Sequence, residues 1–315
     1  MYSNNIDMRI APASLTKLMT GLILYESYEL FDELTVSLPS SYIYEGKVAY
    51  LKNGNKLSTE QLLEFLLVYS ANDAAHIAAL QVSDTVEDFV LLMNKRAKQL
   101  GMNSTNFSNP EGLDDNDHYT TLNDLLILSI YIIKNTTLID ITSKNSFMFE
   151  IDDSLQKYNS TNLLLKEGYM GLKTGWTFNA GLTFIGLKNE SERSILTIVN
   201  RSFVDEEKES HFNDTKLLYE NSIFNFGNSE ILNTNSPIYL HRTPYKTQLF
   251  NSEVNWTTFG ELNSSFQIFT KIIDQQNLQF ILSDGTLKDI YLDIEPIKIK
   301  YNFLKSNFIS KLINK

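Results

Sequence analysis

Around residue 228 the hydrophobic patterning of this 315-residue chain changes character. Before it, helical and strand patterns alternate. After it, short strand-like runs follow one another with turn residues between them. That change predicts a mixed helix-and-sheet domain over 1–228 and a small all-β domain over 229–300. The helical stretches carry their own boundary signals. "SLTKLMTGLILYESYEL" begins at Ser14, with Pro12 just ahead of it. "LSTEQLLEFLLVYS" has Ser58 and Gln61 spaced as a capping box. "DTVEDFVLLMNKRAKQLG" offers Asp84 as N-cap and Gly101 as C-cap. "TLNDLLILSIYIIKN" reads as a buried helix and "NDTKLLYENSIFNFG" as another, with the strands "GLTFIGLKN" and "RSILTIVNRS" between them. In the second domain, Asp284-Gly285 is a hairpin turn between "LQFIL" and "LKDIYLDI". The last fifteen residues, 301–315, place Tyr301, Leu304, Phe308 and Leu312 at helical spacing among lysines. Such an end suits a membrane interface, and equally a helix packed on its own domain.

Composition removes several classes of chemistry. The chain has no cysteine, which excludes disulfides, thiolate zinc sites and a thiol nucleophile. Its histidines, His76, His118, His211 and His241, show no metal-ligand spacing, so neither a metal nor another cofactor is expected. A net charge of −11 argues against a nucleic-acid partner, because phosphates would be repelled. No apolar run is long enough to span a membrane. The opening "MYSNNIDMRI" lacks the basic flank and apolar stretch of a secretion signal.

Three short motifs carry the chemistry. Ser14 and Lys17 stand at i and i+3, so on a helix their side chains share a face. A serine hydroxyl needs a base to become a nucleophile, and a lysine serves only when burial or a nearby cation makes it neutral. Ser70-Ala-Asn72 interrupts an apolar helical run, where polar groups require partners. Its hydroxyl would relay a proton and its amide would hold a peptide group. Lys173-Thr174-Gly175 occurs once, at the start of an expected strand whose edge would pair with an extended peptide. Lys173 would supply positive charge, Thr174 a hydroxyl, and Gly175 room for close approach.

In this order the three motifs resemble those of the penicillin-recognising serine acyltransferases. The flanking words "APASLTKLMT", "YSANDAAH", "HYTTLNDLL" and "GLKTGWTFNAG" resemble the low-molecular-mass D-alanyl-D-alanine carboxypeptidases over roughly residues 4–228. The resemblance implies an α+β fold of the serine transpeptidase and β-lactamase kind, with helices around an antiparallel sheet. It implies Ser14 as nucleophile, Lys17 as general base, Ser70 as proton relay and Asn72 as holder of the substrate amide. Lys173 and Thr174 would face the terminal carboxylate, and the N–H groups of Ser14 and Trp176 would form the oxyanion hole. His211 stands where the family more often has an arginine, and would help there only when protonated. The implied substrate is a peptidoglycan stem peptide, with β-lactams as inhibitors and an extracytoplasmic, periplasmic setting. The resemblance further implies that a strand or more of the central sheet lies upstream of Met1. Alternatives with the same motifs are a D,D-endopeptidase and a serine β-lactamase. The latter's deacylating glutamate would fall at Tyr119, three residues before Leu122. An alternative of another class is a non-catalytic wall-binding relic.

Overall fold

The computed structural model describes residues 4–151, 154–190 and 193–232. Beyond these it describes strand segments 237–243, 246–251, 256–261, 268–272, 277–282 and 287–291. The chain divides into two compact units, Met1–Ile223 and Phe224–Lys315.

In the first unit a 3₁₀ turn, Ala13–Thr16, leads straight into α1, Lys17–Ser27. Leu15, Leu18, Met19 and Leu22 are wholly buried in the main core, which pins this segment in place. Strands β1 (Glu33–Thr35) and β2 (Lys56–Ser58) form a small antiparallel pair ahead of α2, Thr59–Leu63. The expected capping box is present: Ser58 Oγ accepts from Gln61 N at 3.1 Å, and Gln61 Oε1 accepts from Ser58 N at 2.8 Å. The segment after α2 widens into a π-helix, Glu64–Tyr69, and stops at Ser70. Then come α3 (Asn72–Val82), α4 (Val86–Leu100), α5 (Leu122–Asn135) and α6 (Leu138–Thr142). The N-cap of α4 is Thr85, not Asp84: its Oγ1 accepts from Asp88 N at 3.0 Å. Either residue type caps a helix, so spacing alone left a one-residue ambiguity. Gly101 ends α4 at φ +89°, as expected of a C-cap glycine. α5 buries one face only. Leu125, Leu128 and Ile132 point inward while Ile130 is exposed.

The hairpin β3 (Ser146–Ile151) and β4 (Ser154–Asn159) sets aromatic rings edge-on to Phe65. The central sheet runs β5 (Tyr169–Thr177), β6 (Gly181–Glu190), β7 (Arg193–Ser202), all antiparallel. Alternation along β6 serves two cores. Ile185 and Leu187 join the helical core, and Phe184 joins Val199, Phe212 and Tyr219 under α7, Ser210–Asn225. The fold of this unit is therefore α+β, with helices packed on both faces of an antiparallel sheet.

The second unit is built of strands β8 to β14: Phe226–Leu232, Pro237–Thr243, Lys246–Asn251, Trp256–Glu261, Ile268–Ile272, Asn277–Leu282 and Leu287–Tyr291. They pair as β8 with β11, β9 with β10, and a β12–β13–β14 meander. The turn at Asp284-Gly285 and the stretch 301–315 lie outside the described residues.

Candidate active site

Three elements meet at one point. The 3₁₀ turn presents Ser14, the end of the π-helix presents Ser70, and β5 presents Lys173. Ser70 sits in the left-handed region at φ +71°, strain of the kind that clusters at functional positions. Gly112 at φ +89° lies so close that a Cβ there would fall 1.9 Å from the Ala13 carbonyl, which packs the 112–119 loop directly behind Ser14.

Lys17 is completely buried. Its Nζ lies 2.9 Å from Ser14 Oγ, 2.6 Å from Asn72 Oδ1 and 2.8 Å from the Glu111 carbonyl. Asn72 Oδ1 and the carbonyl can only accept, whereas the serine hydroxyl can donate. A neutral amine has two N–H groups and one lone pair, which matches that set. Burial pushes Lys17 down to about 7, with the Glu111 and Asp73 carboxylates partly opposing. The expected serine–base pair is thus brought together.

Lys173 is also fully enclosed, its Nζ 2.8 Å from Ser70 Oγ and 2.9 Å from the Thr174 carbonyl. Burial, then neighbouring Lys17 and Lys47, hold it well below the ordinary lysine range. The same surroundings oppose the positive charge expected of Lys173. Thr174 Oγ1 donates to Thr161 Oγ1 at 2.6 Å. At Gly175 an added Cβ would lie 2.6 Å from Thr183 Oγ1 and 3.1 Å from Ser14 N, so β5 passes directly beside the Ser14 amide. Trp176 follows, half exposed, with Lys208 Nζ 4.1 Å from its ring centroid. The Lys-Thr-Gly motif lies in the middle of a nine-residue strand, not at its start. Asn72 spends one N–H on the Glu45 carbonyl at 2.8 Å and one lone pair on Lys17. One N–H and one lone pair remain.

His211 does not fit its expected role. It is buried, its ring centroid 3.9 Å from that of Phe212, and burial pushes it down to about 4. It is neutral at neutral pH and offers no charge to a carboxylate. Tyr119, where a β-lactamase of this kind would carry its deacylating glutamate, lies under the Arg9 guanidinium at 4.2 Å.

Four contributors went unnoticed in the sequence. Glu111 supplies a carbonyl to Lys17, and its carboxylate pairs with His76 Nδ1 at 3.1 Å. Asp73, wholly buried, accepts from Ala49 N and Leu51 N and so ties down the segment carrying Lys47. Lys47 lies 4.0 Å over the Tyr69 ring, pushed down to about 8 by burial. Thr161 partners Thr174. None belongs to a short motif; only Asp73 carried a hint, as one of the polar residues that interrupt an apolar run. Among the described residues no group of three His, Asp or Glu side chains is placed to hold a metal ion.

Residues 1–203 match the profile of a family described as D-alanyl-D-alanine carboxypeptidase. D-alanyl-D-alanine carboxypeptidase DacF of Bacillus subtilis is 32% identical over 188 residues, 57% of this chain and 48% of that protein. DacA of Haemophilus influenzae is 30% identical over 205 residues, 62% of this chain and 51% of that one. The chain spans about half the length of these curated relatives. The crystal structure of DacD from Francisella tularensis superposes with a TM-score of 0.71 at 22% identity, covering 92% of this chain and 87% of that one. Penicillin-binding protein D2 of Listeria monocytogenes, in its cefotaxime-bound form, gives 0.60 at 31% identity, covering 70% and 90%.

Proposed function

Because this chain belongs to the D-alanyl-D-alanine carboxypeptidase family, we propose that it removes the terminal D-alanine from peptidoglycan stem peptides through an acyl-enzyme at Ser14. The observation that carries this is the Lys17 amine, wholly buried, pushed to about 7 and 2.9 Å from Ser14 Oγ. Ser14 attacks the carbonyl of the penultimate D-alanine while its proton passes to Lys17. The N–H groups of Ser14 and Trp176 receive the developing oxyanion. Ser70, beside Lys173, hands a proton to the departing amine, and the spare amide valences of Asn72 hold the substrate backbone. Lys173 and Thr174 take the terminal carboxylate, which restores the Lys173 charge that burial disfavours. Water then releases the shortened peptide. β-Lactams acylate the same serine, in line with the cefotaxime-bound form of the Listeria protein.

The same reading places the protein outside the cytoplasm, with residues 1–228 as the catalytic domain, 229–300 as a β domain and 301–315 as a peripheral membrane contact. Among the described residues no helix is long and apolar enough to cross a membrane. The test is incubation of the protein with a diacyl-L-Lys-D-Ala-D-Ala peptide and assay of free D-alanine. Release that Ser14→Ala abolishes supports the assignment; undiminished release by Ser14→Ala, or none from the folded protein, rejects it. Rapid turnover of a chromogenic cephalosporin, in place of a stable adduct, would favour a β-lactamase.

A further inference from the structure

Two segments outside the three motifs hold Lys17 in place. One is the 101–121 connection between α4 and α5, whose Glu111 carbonyl accepts from Lys17 Nζ at 2.8 Å. The other is the 36–55 connection between β1 and β2. There the Lys47 carbonyl accepts from Asn72 N at 2.7 Å and the Glu45 carbonyl from Asn72 Nδ2 at 2.8 Å. Asn72 Oδ1 in turn lies 2.6 Å from Lys17 Nζ. Main-chain carbonyls make the contacts of Glu111 and Lys47, so the contacts themselves do not dictate which side chains stand there. The two present carry opposite charges. Glu111 is buried, its carboxylate 3.1 Å from His76 Nδ1. The Lys47 ammonium lies 4.0 Å from the centre of the ring of Tyr69, which precedes Ser70. A ring face attracts a cation without neutralising it.

The titratable groups that face Lys17 come from four segments. The two connections bring Glu111 and Lys47, α3 brings Asp73, and β5 brings Lys173. Behind Glu111 stand His76 of α3 and Tyr42 of the 36–55 connection. Two of the four facing groups are committed elsewhere. Asp73 is wholly buried and accepts from Ala49 N, Leu51 N and Ala74 N, so three backbone dipoles offset its charge. Lys173 is held by Ser70 Oγ and the Thr174 carbonyl, and burial disfavours its charge. The Glu111 and Lys47 side chains act on the base through their charge, without sharing its hydrogen bonds. The carboxylate favours an ammonium at Lys17 and the Lys47 cation favours the neutral amine. Lys47, at about 8, still carries its charge where Lys17, at about 7, titrates.

We propose that Glu111 and Lys47 are opposed positioning residues for the catalytic base: each anchors the site through its main chain and, through its side-chain charge, sets the pH at which Lys17 can take the Ser14 proton. The inference rests on Lys17 being the base for Ser14, as in the function proposed above. Removing either charge leaves the carbonyl contacts in place, so charge and structure separate cleanly. Without the Glu111 carboxylate the Lys17 ammonium loses a stabilising neighbour, and its midpoint falls. Without the Lys47 cation it loses a repelling one, and the midpoint rises.

The test reads Lys17 directly and needs no substrate. Full-length protein carrying ¹³C,¹⁵N-labelled lysine is titrated from pH 5 to pH 10, and the Lys17 Cε and Nζ shifts are followed by NMR. Glu111→Gln should lower the midpoint and Lys47→Gln should raise it, each by about half a pH unit to one unit, the size of a charge–charge interaction inside a protein. Glu111→Asp and Lys47→Arg keep the sign of each charge and should return the midpoint most of the way. Acylation of Ser14 by saturating benzylpenicillin should follow the same order. At pH 6 its rate should rise about three- to tenfold in Glu111→Gln and fall by a similar factor in Lys47→Gln, and by pH 9 the three proteins should converge. Where a glutamine variant fails to fold, Glu111→Met or Lys47→Met removes the same charge and must move the midpoint the same way. Midpoints that do not part in these opposite directions, or a rate lowered equally at every pH, overturn the proposal. Failure of the unmutated protein to release D-alanine counts against the carboxypeptidase reading alone, and the Lys17 titration still decides this one.

Discussion

Gly112→Ala tests whether the loop behind Ser14 positions the nucleophile. Two costs arise at that site. Gly112 lies at φ +89°, where an L-residue is disfavoured by about 1–2 kcal/mol. The new Cβ would also fall 1.9 Å from the Ala13 carbonyl oxygen, a backbone atom one residue before Ser14. Reaching van der Waals contact requires the two to part by more than about 1 Å. A displacement of that size at a reacting group costs about 10²-fold in rate. Gly54→Ala provides the control. Gly54 has nearly the same backbone angle, φ +86°, with nothing within 4 Å of the added carbon. The control should lose a few degrees of Tm from backbone strain and still acylate normally. Gly112→Ala should lose more stability, and its acylation by a fluorescent penicillin should slow by about two orders of magnitude. If both variants lose the same Tm, or if Gly112→Ala acylates at the unmutated rate, the loop does not hold Ser14 in place.

Other outcomes follow from the same structure. Lys17→Ala should slow acylation of Ser14 by about 10²–10⁴-fold in a penicillin-binding assay, and Lys17→Arg should not restore it, since a guanidinium cannot act as a neutral base. Asp73→Asn weakens the bonds to Ala49 N and Leu51 N and should cost about 2 kcal/mol or more in denaturant unfolding. His118 and His211 are pushed down to about 4 from 6.5, so the folded state prefers them neutral. That stability is full above pH 6.5 and is lost as pH falls from 6.5 toward 4, by up to about 3 kcal/mol for each. Unfolding followed from pH 7 to pH 4.5 should show the loss, and His118→Gln should remove its share of the slope.

Much of this site was legible because its chemistry is written in short local words. Ser14–Lys17 needs only helical spacing, and the Ser58–Gln61 box is a local exchange of hydrogen bonds. The strands β6 and β7 show in their β-branched content. What escaped depends on distant packing. The π-helical turn that swings Ser70 into the left-handed region has no signature apart from the apolar run it interrupts. Glu111 meets Lys17 across 94 residues through its backbone carbonyl, which any residue type supplies. His211 precedes Phe212 in a segment that reads as polar, yet α7 turns it into the core beside Phe184. Whether a histidine is charged is decided by burial, and burial of one helical residue is a tertiary fact.

The rate of Ser14 acylation by benzylpenicillin, followed from pH 5 to pH 10, bears most directly on the neutral Lys17 amine. The account predicts a single rise with its midpoint near pH 7 and a tenfold fall for each pH unit below it. A rate still climbing at pH 10, as an ordinary lysine would give, or one flat across the range, would contradict it.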